Sequence, residues 1–133
     1  MKVIYYSRTR NYEFEKKGVI FKEKQELLKE SDIISLQTPK NIKILEKEDF
    51  DLMNKKVFIN NTLGKAFDKD DFRKWIEKPS NFTLMDMVSD FGNEFQKLDR
   101  VIYSDIVSGT TNESVIRLNQ KIVDNIKSFI EQI

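Results

Sequence analysis

The chain has 133 residues, with 23 Lys plus Arg against 22 Asp plus Glu and a formal charge of +1. That is one domain's worth of chain, with no net field to draw it to nucleic acid or an anionic membrane. Cysteine and histidine are both absent, which removes disulfides, zinc–thiolate sites, thiol nucleophiles and the commonest general base near neutral pH.

No apolar run approaches the roughly 20 residues that cross a bilayer. Met1–Tyr6 falls far short of a secretory signal, so a cytoplasmic location is the expectation. Charged residues make up 34% of the chain, yet ten Phe sit in periodic apolar clusters, which points to a packed core rather than disorder.

In chain order, Val3-Ile4-Tyr5-Tyr6 is β-branched and aromatic and reads as a buried strand ending at Ser7-Arg8-Thr9-Arg10. Residues 11–18 are charged and close on Gly18, and Val19-Ile20-Phe21 is a short apolar piece. Lys24 to Lys29 reads as one or two helical turns around Leu27 and Leu28. Ile33-Ile34-Ser35-Leu36 is a second strand, stopped by Thr38-Pro39. Ile44, Leu45, Phe50, Leu52 and Met53 punctuate an acidic stretch that reads as a short helix, and Val57-Phe58-Ile59 is a third strand.

Asp68 opens a helix carrying Phe72, Trp75 and Ile76, with Trp75 expected in the core and Pro79 just beyond the end. Phe82 to Met87 and Arg100 to Tyr103 read as the fourth and fifth strands. From Thr111 to Ile133 the apolar set Val115, Leu118, Ile122, Ile126, Phe129 and Ile130 recurs at three- and four-residue spacing, the mark of a long amphipathic helix. Strands separated by helical stretches imply parallel βαβ units. The predicted fold is α/β: a truncated Rossmann-like, mostly parallel sheet of about five strands flanked by helices, one partial domain over residues 1–133.

In an open parallel sheet, ligands bind beyond the carboxyl ends of the strands. Polar residues gather there at 7–10, 37–39, 60–64, 85–89 and 104–109, as a ligand crevice requires and as turns commonly show. Ser7-Arg8-Thr9-Arg10 offers two guanidinium groups and two hydroxyls, which suit either a phosphate monoester or a solvated basic turn. Asp68-Lys69-Asp70-Asp71 reads as a helix cap complementing the dipole rather than a divalent cation site, so no metal is expected. Ser104-Asp105 has no His or well-placed Lys to complete a nucleophilic constellation.

These pieces, in this order, resemble the nucleotide-binding domain of the D-isomer-specific 2-hydroxyacid dehydrogenases, in particular the glyoxylate/hydroxypyruvate reductases. The phrases LLKESDIISLQTP, VFINNTLGKAFDKDDF, TLMDMV and VIYSDIVSGTTNES carry the likeness. The resemblance implies that Ser7, Arg8 and Thr9 hold the adenosine ribose, with Arg8 on a 2′-phosphate, the NADP form rather than the NAD form. Pro39 corresponds to the proline beside adenine and ribose. Asn61 and Thr62 fall in the loop over the nicotinamide side, Asp86 matches the carboxamide-holding aspartate, and Ser108 and Gly109 border the nicotinamide ring.

The departures matter equally. The four glycines (18, 64, 92 and 109) form no G-x-G-x-x-G turn, the element that holds the pyrophosphate. The family's first strand and its substrate domain are missing. Its substrate arginine aligns with Leu63 and its catalytic histidine with Ile106, while its glutamate falls near Asp90 or Phe91.

Losing the acid–base group alone costs roughly 10²- to 10⁴-fold in rate. Two charge-assisted bonds lost from the pyrophosphate, at about 1.5–3 kcal/mol each, weaken binding by roughly 10²- to 10⁴-fold. The expectation is no catalytic residue, a silent chain in isolation, and weak binding of NADP or NAD.

The missing strand is central in the family's order. Val3–Tyr6 and Val57–Ile59 are therefore expected to pair with each other, or a homodimer mate or partner chain to complete the sheet. A subunit completed by another chain, or a regulatory domain for a mononucleotide, are the rival readings.

Overall fold

The computed structural model describes residues 1–86, 92–104 and 111–132. Among these the elements run β1 (Ile4–Tyr5), α1 (Tyr12–Lys16), β2 (Ile20–Phe21), α2 (Lys24–Glu30), β3 (Ile33–Leu36) and α3 (Lys47–Leu52). They continue with β4 (Val57–Asn60), α4 (Lys69–Ile76), β5 (Phe82–Met85), a 3-10 turn at Asn93–Lys97, β6 (Val101–Tyr103) and α5 (Asn112–Ile130).

The strands form two parallel sheets, β1-β2 and β3-β4-β5-β6. The architecture is the Rossmann-like α/β arrangement read from the sequence, with one more strand than expected: the short apolar piece at Ile20–Phe21 is β2, paired to β1.

Helix starts follow from local chemistry. The Asn11 side chain accepts the N–H groups of Glu13 and Phe14 at the head of α1, and Asp68 accepts those of Asp70 (2.9 Å) and Asp71 (3.3 Å) at the head of α4. Asp68 is thus the cap anticipated from sequence. Helix α1 was not anticipated, because its helical character comes from the Asn11 cap and not from apolar spacing.

Strand periodicity sends alternate residues of the four-stranded sheet to one buried face. Ile34, Leu36, Phe58, Thr83, Met85 and Val101 pack there against α3 and α4. Phe50, Phe58, Phe67, Phe72, Trp75 and Phe95 form a continuous aromatic cluster, in which Phe72 lies 5.3 Å from both Phe67 and Phe95 between ring centroids. The Trp75 indole N–H donates to the Met53 carbonyl, so the polar edge of the ring is satisfied in the core. Buried Asn81 bridges two elements, donating to Trp75 O at 2.8 Å and accepting the Lys56 N–H at 3.2 Å.

Two expectations are corrected. Val57–Ile59 does not pair with Val3–Tyr6: β4 lies between β3 and β5 in full register, and β3 is the strand that faces β1. The Val3–Tyr6 segment is also half-exposed rather than buried, because β1 has a neighbour on one side only.

The long helix forms as read, capped by the Thr111 side chain on Ser114 N–H. Its apolar residues are nonetheless exposed, Leu118 at 60% and Phe129 at 65%. The sheet face opposite α3 and α4 is open as well, with Ile33, Phe82, Leu84 and Ile102 all exposed. Parallel sheets normally have both faces covered.

Candidate functional site

Register sets the geometry of the site. Leu36, Asn60, Met85 and Tyr103 are successive partners across the four-stranded sheet, so the loops that follow them leave from one edge. Pro39, Asn61, Thr62 and Asp86 therefore stand along a common rim.

Two of these loops are locked together. The Asn41 N–H donates to Leu63 O at 3.2 Å, and the Asn41 side-chain oxygen accepts the Lys65 N–H at 3.3 Å. Gly64, at φ +77°, leaves room for that contact, since a Cβ there would meet Asn41 Oδ1 at 2.0 Å. Further in, the N–H groups of Ile44 and Leu45 both reach Ala66 O.

Asn61 is exposed, but Thr62 is buried and its hydroxyl donates to Asn60 Oδ1 at 2.6 Å. Thr62 thus shapes the loop, and Asn61 is the member that reaches solvent. Half-buried Asp86 donates its N–H to Asn60 O at 3.4 Å. Ser108 and Gly109, with Ile106, Asp90 and Phe91, lie outside the described residues.

Ser7, Arg8 and Thr9 stand after β1, on the other side of a gap. The Ser7 hydroxyl donates to Thr9 O at 2.6 Å and bends the turn. The two arginines of this segment have different fates. Arg10 donates through Nε to Glu15 at 3.0 Å and again through Nη2, and its guanidinium stacks 5.0 Å from the Phe21 ring centroid and 5.5 Å from that of Tyr12.

The bond from Arg10 holds the Glu15 carboxyl below its usual range, against the opposing effect of burial. Burial, first, pushes the Tyr5 phenol upward, and that hydroxyl donates to Glu15 at 2.9 Å while accepting the Asn11 N–H at 2.7 Å. Arg8, by contrast, is exposed and has no ion pair or hydrogen bond among the described residues.

Between β1 and β3 runs a cavity of about 920 Å³. Ser7, Thr9, Gln37 and Thr38 stand at its carboxyl end, and Lys2, Glu30 and Asp32 at its amino end. The Thr38 hydroxyl is buried with no hydrogen-bond partner among the described residues. The sequence placed Gln37 and Thr38 at a strand end on the expected crevice but gave a binding role there to Pro39 alone. Among the described residues no cluster of three or more metal-ligating side chains occurs.

A parallel α/β sheet with polar loops gathered at its carboxyl edge defines a dinucleotide-binding type of domain. The chain belongs to the D-isomer specific 2-hydroxyacid dehydrogenase NAD binding domain family, which matches residues 1–107. Glyoxylate reductase of Thermococcus litoralis is 28% identical, over 97% of this chain and 42% of that protein. D-Lactate dehydrogenase from Aquifex aeolicus, solved with NAD and lactic acid, has a TM-score of 0.83 at 24% identity, covering 99% of this chain and 47% of that one. An acyclic imino acid reductase solved with NADPH and D-Arg has a TM-score of 0.79 at 26% identity, covering 99% and 44%. These 133 residues span less than half the length of the relatives they match.

The residues present fit one half of a dinucleotide. The Arg8 guanidinium, without a partner among the described residues, and the neighbouring Ser7 and Thr9 hydroxyls have the chemistry an adenosine phosphate needs. The glycine turn that would cradle a diphosphate has no counterpart among the four glycines, three of which, Gly18, Gly64 and Gly92, serve isolated positive-φ positions.

Proposed function

We propose that this chain is a catalytically silent relative of the NADP-dependent 2-hydroxyacid dehydrogenases that retains a weak adenine-nucleotide site. The observation that carries this reading is the pairing of Arg8, which has no partner among the described residues, with a reaction side that offers neither an arginine at position 63 nor any histidine. Leu63 stands 47% exposed in the loop where the family places its substrate arginine, and the sequence holds no histidine at all. A 2-oxo acid needs a cation to position its carboxylate and a proton donor for its carbonyl. Ser7, Arg8 and Thr9 bind the ribose 2′-phosphate, Pro39 borders adenine, and Asn61, Thr62, Asp86, Ser108 and Gly109 line the nicotinamide side. The NADPH-bound imino acid reductase among the structural neighbours supports this cofactor choice.

The protein acts in the cytoplasm, as a homodimer or with a partner chain that completes the sheet. The open edges of β1 and β3 favour that second component. Equilibrium titration of the full chain with NADPH, NADH and 2′-AMP tests the reading. NADPH should bind more tightly than NADH and 2′-AMP should compete. Equal affinity for the two dinucleotides would exclude the role given to Arg8, and a selective response to an unphosphorylated mononucleotide would favour a regulatory domain instead.

A further inference from the structure

We propose that Tyr5 is a positioning residue for the anion-binding turn: its hydroxyl, bonded to the main chain of Asn11, closes the loop over residues 6–10 and fixes where Arg8 is presented. This deepens the nucleotide reading above and rests on it.

The loop is tied at both ends. At its start the Tyr5 carbonyl accepts the Lys22 N–H at 2.9 Å, beside the β1–β2 pairing. At its end Asn11 heads α1, its side-chain oxygen accepting the N–H groups of Glu13 at 3.1 Å and Phe14 at 3.2 Å. The main-chain N–H of a cap residue has no acceptor inside its own helix. Here it donates to the Tyr5 hydroxyl at 2.7 Å, so a strand side chain grips the far end of the loop. Between these ties the Ser7 hydroxyl bends the turn onto Thr9 O at 2.6 Å. Arg8 is the middle residue of the five, and it is exposed.

The bond to Asn11 has a set direction. A phenol carries one proton and accepts through its lone pairs. Glu15 lies 2.9 Å from the hydroxyl and takes that proton ahead of Asn11 O at 3.3 Å, which leaves the lone pairs to the Asn11 N–H. The ring is held edge-on, 5.5 Å from the Phe21 centroid and 6.1 Å from that of Phe14, so the hydroxyl cannot follow a moving loop. Arg10 braces the Glu15 carboxylate, but Glu15 remains an acceptor without it, and the grip on Asn11 outlasts its loss. A loop ordered before the ligand arrives binds more tightly than one that must be ordered on contact.

Isothermal titration of the full chain with 2′-AMP and 5′-AMP compares the parent with Tyr5→Phe and Glu15→Gln. Tyr5→Phe keeps the ring and deletes the oxygen. It should weaken 2′-AMP binding about three- to tenfold and lower the ratio of 2′-AMP to 5′-AMP affinity with it. NMR should show the Asn11 amide exchanging at least about tenfold faster. Glu15→Gln discards the charge and retains an acceptor for the hydroxyl, so 2′-AMP affinity should stay within about twofold of the parent. In an Arg8→Ala background, Tyr5→Phe should cause no further loss, because the hydroxyl acts through Arg8.

Parental 2′-AMP affinity in Tyr5→Phe overturns the proposal. So does an equal loss in Glu15→Gln, which would trace the effect to a loosened β1–β2 unit, and so does an Arg8→Ala loss that persists undiminished beside Tyr5→Phe. Those results leave the nucleotide reading standing. A parent and an Arg8→Ala variant with the same 2′-AMP affinity would remove that reading and the proposal together.

Discussion

Arg8 and Arg10 lie two residues apart and offer the same functional group, yet Arg10 is paired with Glu15 while Arg8 is exposed with no partner among the described residues. Replacing Arg8 by Ala removes an exposed guanidinium with no intramolecular partner among the described residues. A charge-assisted contact to a phosphate is worth about 1.5–3 kcal/mol, and solvent exposure puts this one at the lower end. The expected loss is about 1.5 kcal/mol, close to tenfold in affinity for 2′-AMP, with affinity for 5′-AMP unchanged.

Arg10→Ala should do the reverse. It leaves the Glu15 carboxylate with the Tyr5 hydroxyl but no cation and uncovers the Phe21 and Tyr12 rings, lowering the denaturation midpoint while changing 2′-AMP affinity less than about twofold. Isothermal titration of both variants at low and high salt provides the comparison, and the Arg8 contribution should shrink as salt rises. An Arg8 variant that binds 2′-AMP like the parent would refute the assignment. So would an Arg10 variant that stays stable but loses selectivity.

Gly64→Ala should cost about 1–2 kcal/mol from its left-handed backbone and more from the clash with Asn41 Oδ1. An unfolding free energy from urea titration within about 0.5 kcal/mol of the parent would contradict that geometry. Phe72→Ala empties the centre of the aromatic cluster, where Phe72 is fully buried. The cost should be about 3–5 kcal/mol, a large share of a stability of about 5–15 kcal/mol, and denaturant unfolding followed by Trp75 fluorescence reads it.

Acid should loosen the β1–β2 unit before the four-stranded sheet. The Lys22 bond, then Lys2, holds Glu30 below the usual carboxylate range, and Arg10 does the same for Glu15. Carboxylates depressed on folding stabilise fully above their unfolded value near 4.3, and that stability is lost as pH falls through the lower folded value. Protection of the Ile20 amide should therefore fall below about pH 4 ahead of that of Val57. Simultaneous loss would show that these ion pairs hold nothing locally.

Much of the fold was legible because buried strands announce themselves. Ile33–Leu36, Val57–Asn60 and Phe82–Met85 are apolar runs flanked by turn residues, and each forms a strand. The Ile20–Phe21 strand was harder to read because two residues carry no period. Helix α1 was invisible to periodicity because Asn11 and the Tyr5 hydroxyl, not an apolar stripe, set it.

Which strand faces β1 was a question of topology, and the family's strand order, applied to the wrong segment, placed Val57–Ile59 there in error. The periodic face of α5 was read correctly as a helix, but periodicity says nothing of what covers it. At the site, motif likeness located the Ser7–Thr9 turn. Separating a free Arg8 from an engaged Arg10 required the position of Glu15 in three dimensions.

The central claim is that a nucleotide scaffold persists here without the groups that do the chemistry. Its most direct test follows NADPH absorbance when the purified full chain is mixed with glyoxylate or hydroxypyruvate over a range of enzyme concentrations. No oxidation above the protein-free control is expected at any concentration. Turnover that scales with protein, and survives re-purification to homogeneity, would contradict it.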